Sequence, residues 1–140
     1  MLIAFVLLLL FFDEAPAETT RLSVEITNIQ TANGTLRIGL FKPGARFGKK
    51  DSKPFLDKLV PVNKLNPHKT EFIVEPGTYA VALYHDLNDN RIIDKNFFGF
   101  PKEPFGLSNN FRPFFSAPDF EDCAFELTER GKSISIKLID

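Results

Sequence analysis

The sequence is poor in the residues that build disulfides, zinc sites and nucleic-acid surfaces. Its 140 residues include one cysteine, two histidines and no tryptophan. A single cysteine excludes an internal disulfide, and with two histidines it argues against a closed zinc site. The formal net charge of −1 gives no field that would steer nucleic acid or an anionic membrane. Absence of tryptophan also argues against a sugar-stacking surface.

The sequence has no apolar run long enough to span a bilayer. Its longest run, residues 1–12, falls short of the roughly 20 residues that a spanning helix needs. Small residues follow at Ala15 and Ala17, although no basic residue precedes the run. We predict a signal peptide over residues 1–17, cleaved near Ala17, and a periplasmic or secreted mature chain without a transmembrane segment. An uncleaved anchor is the alternative.

Helical periodicity is missing from the rest of the chain, where apolar and polar residues alternate instead. Such alternation predicts strands at residues 22–27, 36–41, 70–74, 79–85 and 133–138. Residues 54–59 fit either one helical turn or a short edge strand. Short strands with turn signals between them predict an all-β, antiparallel sandwich of about seven strands, forming one domain over residues 18–140.

Two local features refine this sandwich. Asn33-Gly34 favours a tight turn, so we expect residues 22–27 to pair with 36–41 across it. The strand at 79–85 is apolar on both faces and should be central, with Ala80 and Ala82 leaving room for another segment.

The alternation Cys123, Phe125, Leu127 predicts a buried thiol on one strand face.

Oxygen-bearing side chains alternate along the loop after residue 85, a pattern typical of calcium loops. We predict a calcium ion held by the side chains of Asp86, Asn88, Asn90 and Asp94 and by the carbonyl of Ile92. The sixth position carries Arg91 where a helical calcium loop has glycine, and Phe97 replaces the bidentate glutamate. The alternative is a polar loop whose Asn and Asp side chains bond their own backbone.

Nine of the 16 phenylalanines lie between residues 97 and 125, in a segment that four prolines interrupt. This segment is either a lid packed over Ala80 and Ala82 or an aromatic-lined ligand cleft. As a lid it would bury most of its rings. For the cleft, the candidate ligand-binding residues are His85, Phe98, Phe100, Glu103, Ser108 and Asn109.

No arrangement of side chains predicts catalysis. His85 and Asp86 are neighbours on a strand and point to opposite faces, and the segment Gly106 to Asn110 around Ser108 lacks the second glycine of a nucleophile elbow. A metal-dependent hydrolase would need His85 within reach of Asp94, Glu103 or Ser108 in one pocket.

Several motifs resemble one protein family. They are the run Pro76 to Asp86, then Asn88-Asp89-Asn90 and Asp94-Lys95-Asn96, then Phe98 to Glu103, Phe105 to Asn110 and Phe120 to Phe125. Together they resemble the exported bacterial family called domain of unknown function 2141. The resemblance implies a transthyretin-like or immunoglobulin-like Greek-key sandwich in the periplasm or outside the cell, and it implies no activity.

These observations favour a non-catalytic binding or accessory module of the envelope, with structural calcium as an optional part. A metal-dependent hydrolase using residues 85–110 and a purely structural protein are the alternatives. An open aromatic cleft would favour the first, and a closed surface with buried rings the last.

Overall fold

The computed structural model describes residues 12–93 and 101–140. Over those residues the chain forms eight strands and one short helix. The strands are β1 (Thr20–Thr27), β2 (Thr35–Phe41), β3 (Leu56–Pro61), β4 (His68–Val74), β5 (Gly77–Asp86), β6 (Phe105–Leu107), β7 (Phe125–Leu127) and β8 (Lys132–Lys137). Helix α1 covers Phe120–Cys123, and a 3₁₀ turn covers Ser108–Asn110.

The strands form two sheets. One has the order β4-β1-β8, and the other has the order β3-β2-β5-β6 with β7 also paired to β5. All pairs are antiparallel except β1 with β8. The prediction of an all-β, antiparallel sandwich of about seven strands is confirmed; the described residues form eight strands, and one of the pairs is parallel. Residues 54–59, for which the sequence left two choices, lead into the edge strand β3.

The main core lies between the two sheets. Alternate side chains of each strand point inward, so the period-two apolar pattern becomes one buried layer. Its fully buried members include Leu22, Val24, Ile26, Leu36, Ile38, Leu40, Phe72, Val81 and Ile136. Each buried aliphatic or aromatic side chain of this kind contributes about 1.5–3 kcal/mol of transfer free energy.

The outer faces of the two sheets differ. The three-stranded sheet carries exposed ion pairs, Arg21 with Glu71 and Lys69 with Glu25, which contribute little to stability. The five-stranded sheet is covered by a second apolar cluster of Phe41, Phe47, Ala80, Leu107 and Cys123. Strand β5 therefore has apolar neighbours on both faces, as its sequence predicts.

The predicted hairpin across Asn33-Gly34 is wrong. Strand β1 pairs with β4 and β8, whereas β2 pairs with β3 and β5, so the two strands lie in different sheets. Strand β1 ends at Thr27. The next residue, Asn28, has a φ of 64° that turns the chain, and Ile29 then enters the core. The Ile29 N–H donates to the side-chain oxygen of Asn66 at 2.7 Å. The connection thus crosses from one sheet to the other instead of reversing.

Cys123 is buried, as predicted, but it does not lie on a strand. It ends helix α1 and packs in the second cluster, while Phe125 and Leu127 of β7 point into the main core. The expected shared strand face is therefore wrong, because the backbone changes conformation at Ala124. Burial raises the pKa of the Cys123 thiol to about 12, which keeps it protonated and unreactive at neutral pH.

Residues 12–93 and 101–140 include no helix with the length and hydropathy needed to cross a bilayer.

Candidate functional site

The outer face of the five-stranded sheet has a depression at its centre. Gly39 of β2 lies opposite Ala82 of β5, so two of the smallest residues meet on this face. On either side the same face carries large side chains, Phe41 and Leu107 among them. Gly39 and Ala82 line the floor of a cavity. The Phe41 ring and Pro54 occupy the space immediately at the missing Cβ of Gly39.

Two segments form the walls above this floor. One is the stretch 47–54, and the other is the proline-rich stretch 113–118. The Phe47 ring packs edge-on against Phe41 and Phe120, with centroids 5.0 and 6.1 Å away. Gly48 lies so close to the Pro118 carbonyl oxygen that a Cβ on Gly48 would collide with it. The walls are therefore packed together at one end of the cavity.

The cavity measures about 710 Å³, well inside the range of about 300–1,000 Å³ found for small-molecule sites. Its mouth is aromatic, since Phe115 lines the cavity while remaining 90% exposed. The neighbouring Phe114 is 77% exposed and packs edge-on against it, with ring centroids 4.4 Å apart. Two exposed phenylalanines beside an apolar cavity leave a hydrophobic surface without a partner in the described residues.

The Phe-rich segment acts only partly as a lid. Phe105, Phe111 and Phe120 are half-buried and pack against the cluster that contains Ala80, as the lid prediction requires. Phe114 and Phe115 are exposed, and of the six described rings of the segment only Phe125 is buried, so the expectation that most rings are buried is wrong for the described part of the segment. Prolines at 113 and 118 break the ladder pairing that would hold these rings against the sheet.

Arg37 lines the cavity and is held by a buried ion pair. Its Nε donates to Asp86 Oδ2 at 2.7 Å, and the Asp86 side chain is completely buried. Burial alone would raise the pKa of Asp86, but Arg37 and the backbone N–H of Arg91 outweigh it and hold that pKa below its usual value. The same hydrogen bond raises the pKa of Arg37. The pair therefore stays ionised.

The proposed calcium loop is bonded largely to itself. The Asn88 and Asn90 side-chain oxygens accept the N–H groups of Asn90 and Ile92, at 3.2 and 3.0 Å. Arg91 has a φ of 66°, so it adopts the left-handed conformation that glycine favours at this position. Its N–H donates to Asp86 Oδ2 at 2.9 Å.

One observation favours a ligand in this loop. Asp86 Oδ1 is buried and has no hydrogen-bond partner in the structure as described. Asp94 lies outside the described residues, and the described ones include no cluster of three His, Cys, Asp or Glu side chains suited to a metal. Calcium binding therefore stays a prediction.

Two of the predicted ligand-binding residues hold the second cluster together. The buried Ser108 hydroxyl accepts the Val81 N–H at 2.9 Å and donates to the Cys123 carbonyl oxygen. Asn109 is exposed and donates to the Ala124 carbonyl oxygen at 2.9 Å. Both side chains join the segment after β6 to its neighbours, and neither lines the cavity.

His85 and Glu103 are buried beside the end of β5. His85 bonds the Asn33 carbonyl oxygen through Nε2, and Glu103 accepts the Leu87 N–H at 2.7 Å.

Ser108 lies far from His85. The Ser108 hydroxyl is bonded to Val81, four residues along β5 from His85, which is about 13 Å of extended strand. The structure thus separates His85 from Ser108, and it places neither His85 nor Glu103 on the cavity lining. Phe98 and Phe100 lie outside the described residues.

The sequence did not single out Arg37, Gly39 or Ala82 as parts of one site. Gly39 and Ala82 each read as a small residue in a strand, and only the register of β2 with β5 brings them together. His68 was also missed. It is buried in β4 with both ring nitrogens unbonded in the described residues, and its burial lowers its pKa.

Comparison with curated proteins and with solved structures found no match to this chain. The sequence model of one protein family matches residues 24–135, most of the folded domain. The family is described as an uncharacterized protein conserved in bacteria, domain of unknown function 2141, and the chain belongs to it.

Proposed function

We propose that this protein is an exported, non-catalytic binding module that holds a small apolar molecule in the cavity over Gly39 and Ala82. The observation that carries the proposal is the cavity itself, about 710 Å³ with a mainly apolar lining and an aromatic mouth. An open cleft with exposed aromatic rings is the arrangement expected of a binding module. A purely structural protein would instead bury Phe114 and Phe115.

The geometry gives less support to a hydrolase. His85 and Ser108 are each engaged in hydrogen bonds with the backbone, and they lie far apart along β5. A nucleophile and its base must lie within hydrogen-bond reach of each other. The binding module therefore remains our proposal.

Export is the second part of the proposal. Residues 12–19 are exposed and belong to no strand, and β1 begins at Thr20. Cleavage after Ala17 would thus leave every described strand intact. Expression in a bacterial host with N-terminal sequencing tests this, since we expect mature protein that begins at Glu18 in the periplasm or medium. Uncleaved protein in the cytoplasm would contradict it.

A structural calcium ion is a further part of the proposal, supported by the unbonded Oδ1 of Asp86. The ion would stabilise the loop beside the Arg37–Asp86 pair, and the cavity would not depend on it.

The test of the binding proposal is a series of neutral alcohols of increasing chain length, octanol, decanol and dodecanol. Each buried methylene contributes about 0.8 kcal/mol, so every two added methylenes should lower Kd by about tenfold. Calorimetry measures this directly. Absence of binding by all three alcohols would overturn the proposal.

Ala82→Leu provides the structural control for that test. The larger side chain should fill the cavity floor and abolish binding while the protein remains folded. Ala32→Leu is the matched variant, because Ala32 is exposed in the connection between β1 and β2 and does not line the cavity. We expect alcohol binding by Ala32→Leu to equal that of the unmodified protein.

A further inference from the structure

Arg37 gives the cavity a polar anchor point. The residue lies in β2, lines the cavity, and has a side chain that is 18% exposed. Its Nε–H bond to the fully buried Asp86 fixes the guanidinium plane at one side of the apolar floor. A group held in this way loses little entropy when it binds a ligand.

The bond to Asp86 uses only part of this guanidinium. A guanidinium carries five N–H donors, and Arg37 uses the one on Nε. In residues 12–93 and 101–140, the two terminal nitrogens have no hydrogen-bond partner. The planar N–H donors of an arginine fit the two oxygens of a carboxylate better than they fit a ligand with a single acceptor atom.

The charges around the cavity are compatible with an anion. Arg37, Lys49 and Asp57 line it, and both Lys49 and Asp57 are exposed to water. Asp86 and the nearby Asp89 offset the charge of Arg37, so an anion would bind through the unused N–H donors of Arg37 and not through an excess of positive charge. Lys58 also borders the cavity, but its ammonium group lies over the Phe72 ring, 5.8 Å from the centroid, and is directed elsewhere. Asp86 lies behind Arg37 and outside the lining.

We propose that the ligand is a long-chain carboxylic acid whose carboxylate binds the terminal nitrogens of Arg37. Its hydrocarbon chain would lie over Gly39 and Ala82, with Phe115 against it at the mouth. This inference rests on the proposed binding function and adds the chemistry of the ligand's head group.

Tyrosine fluorescence can report binding, because the chain has two tyrosines and no tryptophan. Tyr84 lines the cavity, whereas Tyr79 is buried and donates to the Glu75 carbonyl oxygen at 2.7 Å. A Tyr79→Phe variant leaves Tyr84 as the single reporter. Titrations would use dodecanoate, dodecanol and dodecyltrimethylammonium, each below its aggregation concentration.

We expect the three amphiphiles to differ in Kd, because only the carboxylate can form charge-assisted hydrogen bonds with Arg37. Dodecanoate should bind about tenfold more tightly than dodecanol, and the cationic amphiphile should bind more weakly than either. Equal Kd values for dodecanoate and dodecanol would overturn the carboxylate inference and leave the binding function standing. No binding by any of the three would overturn both.

Arg37→Lys tests the role of the guanidinium. Lysine can keep an ion pair with Asp86 but lacks the planar donors, so the preference for dodecanoate over dodecanol should disappear. Arg21→Lys is the matched control on the far sheet, where Arg21 pairs with Glu71 at 3.4 Å and the preference should persist.

If Arg37→Lys does not fold, the double variant Arg37→Gln with Asp86→Asn removes both charges together and should show the same loss. An unchanged preference in the folded variant would overturn the inference.

Discussion

Among single residues, Ala80 and Ala82 show how one strand face supports two different environments. They lie two positions apart on β5 and look equivalent in the sequence. Ala80 pairs with Phe41 and is fully buried, whereas Ala82 pairs with Gly39 and faces the cavity. The difference comes from the partner strand, so the sequence of β5 alone could not reveal it.

This contrast yields a stability prediction. Ala80→Leu should overpack the second cluster and lower the free energy of unfolding by about 1–3 kcal/mol. Ala82→Leu should change it by less than about 0.5 kcal/mol, because the added carbons enter open space. Urea denaturation of both variants measures the difference. Equal losses would mean that Ala82 is packed as tightly as Ala80.

The candidate site residues show a related limit of sequence reasoning. The chemical types of His85 and Ser108 suggest ligand binding, but in the structure both side chains form hydrogen bonds with backbone groups. Most buried polar side chains have such a role. The burial of Cys123 was predicted correctly, as free cysteines are commonly buried, although the strand face used to predict it does not exist at Cys123. The role of a polar side chain depends on where distant strands lie.

For whole strands and connections, alternation located the strands well but could not assign their partners. Apolar and polar residues alternate in the same way in parallel and antiparallel strands. The alternation therefore could not predict that β1 pairs in parallel with β8. Asn33-Gly34 does form a turn, with Gly34 at a φ of 74°. That turn leads into β2 and contacts β5, and the chain has already left the first sheet at Asn28.

Gly34 is expected to be essential to this connection. Alanine there would adopt a strained positive φ and would also collide with the Asp86 carbonyl oxygen. Gly34→Ala should therefore cost about 2 kcal/mol or more. Gly44 has a φ of 82° with no atom near its missing Cβ, so Gly44→Ala should cost only the backbone strain of about 1–2 kcal/mol. Chemical denaturation of both variants separates the cost of backbone strain from the cost of the collision with the Asp86 carbonyl oxygen. Equal losses of stability in the two variants would contradict that collision.

The loop after β5 carries the calcium prediction. A site of this kind, with few anionic ligands, should bind at about 10⁻⁴–10⁻³ M. A hundredfold excess of calcium over Kd would then stabilise the fold by about 2.7 kcal/mol. Thermal melting in millimolar calcium and in chelator measures the effect. An unchanged melting temperature in both would mean that the loop is a self-bonded turn.

For the molecule as a whole, the two sheets each carry one inward-facing histidine, and the two histidines lie near enough to influence each other electrostatically. His68 points inward from β4 and His85 inward from β5, and both are buried. No pattern in the sequence predicts that His68 and His85 lie close together. Their approach depends on the sandwich packing, which no local pattern encodes.

His68 should make the stability of the whole fold depend on pH. Burial first, then Lys64 and His85, lower its pKa in the folded protein from the ordinary value of 6.5. The folded state therefore binds fewer protons than the unfolded chain, so the free energy of unfolding is greatest above pH 6.5 and declines as the pH falls. Asp86 does not contribute in this range, because its lowered pKa lies below 3.8.

Urea denaturation between about pH 7.5 and 5.5 tests this dependence on the unmodified protein and two variants. His68→Leu removes the titrating group and two unbonded nitrogens, so its stability should be higher and nearly independent of pH. Lys64→Gln removes a charge that opposes protonation, which raises the folded pKa of His68 and should make the pH dependence shallower. If the unmodified protein were equally stable across the range, or if His68→Leu kept the full decline, the loss of stability in acid would have to come from another group.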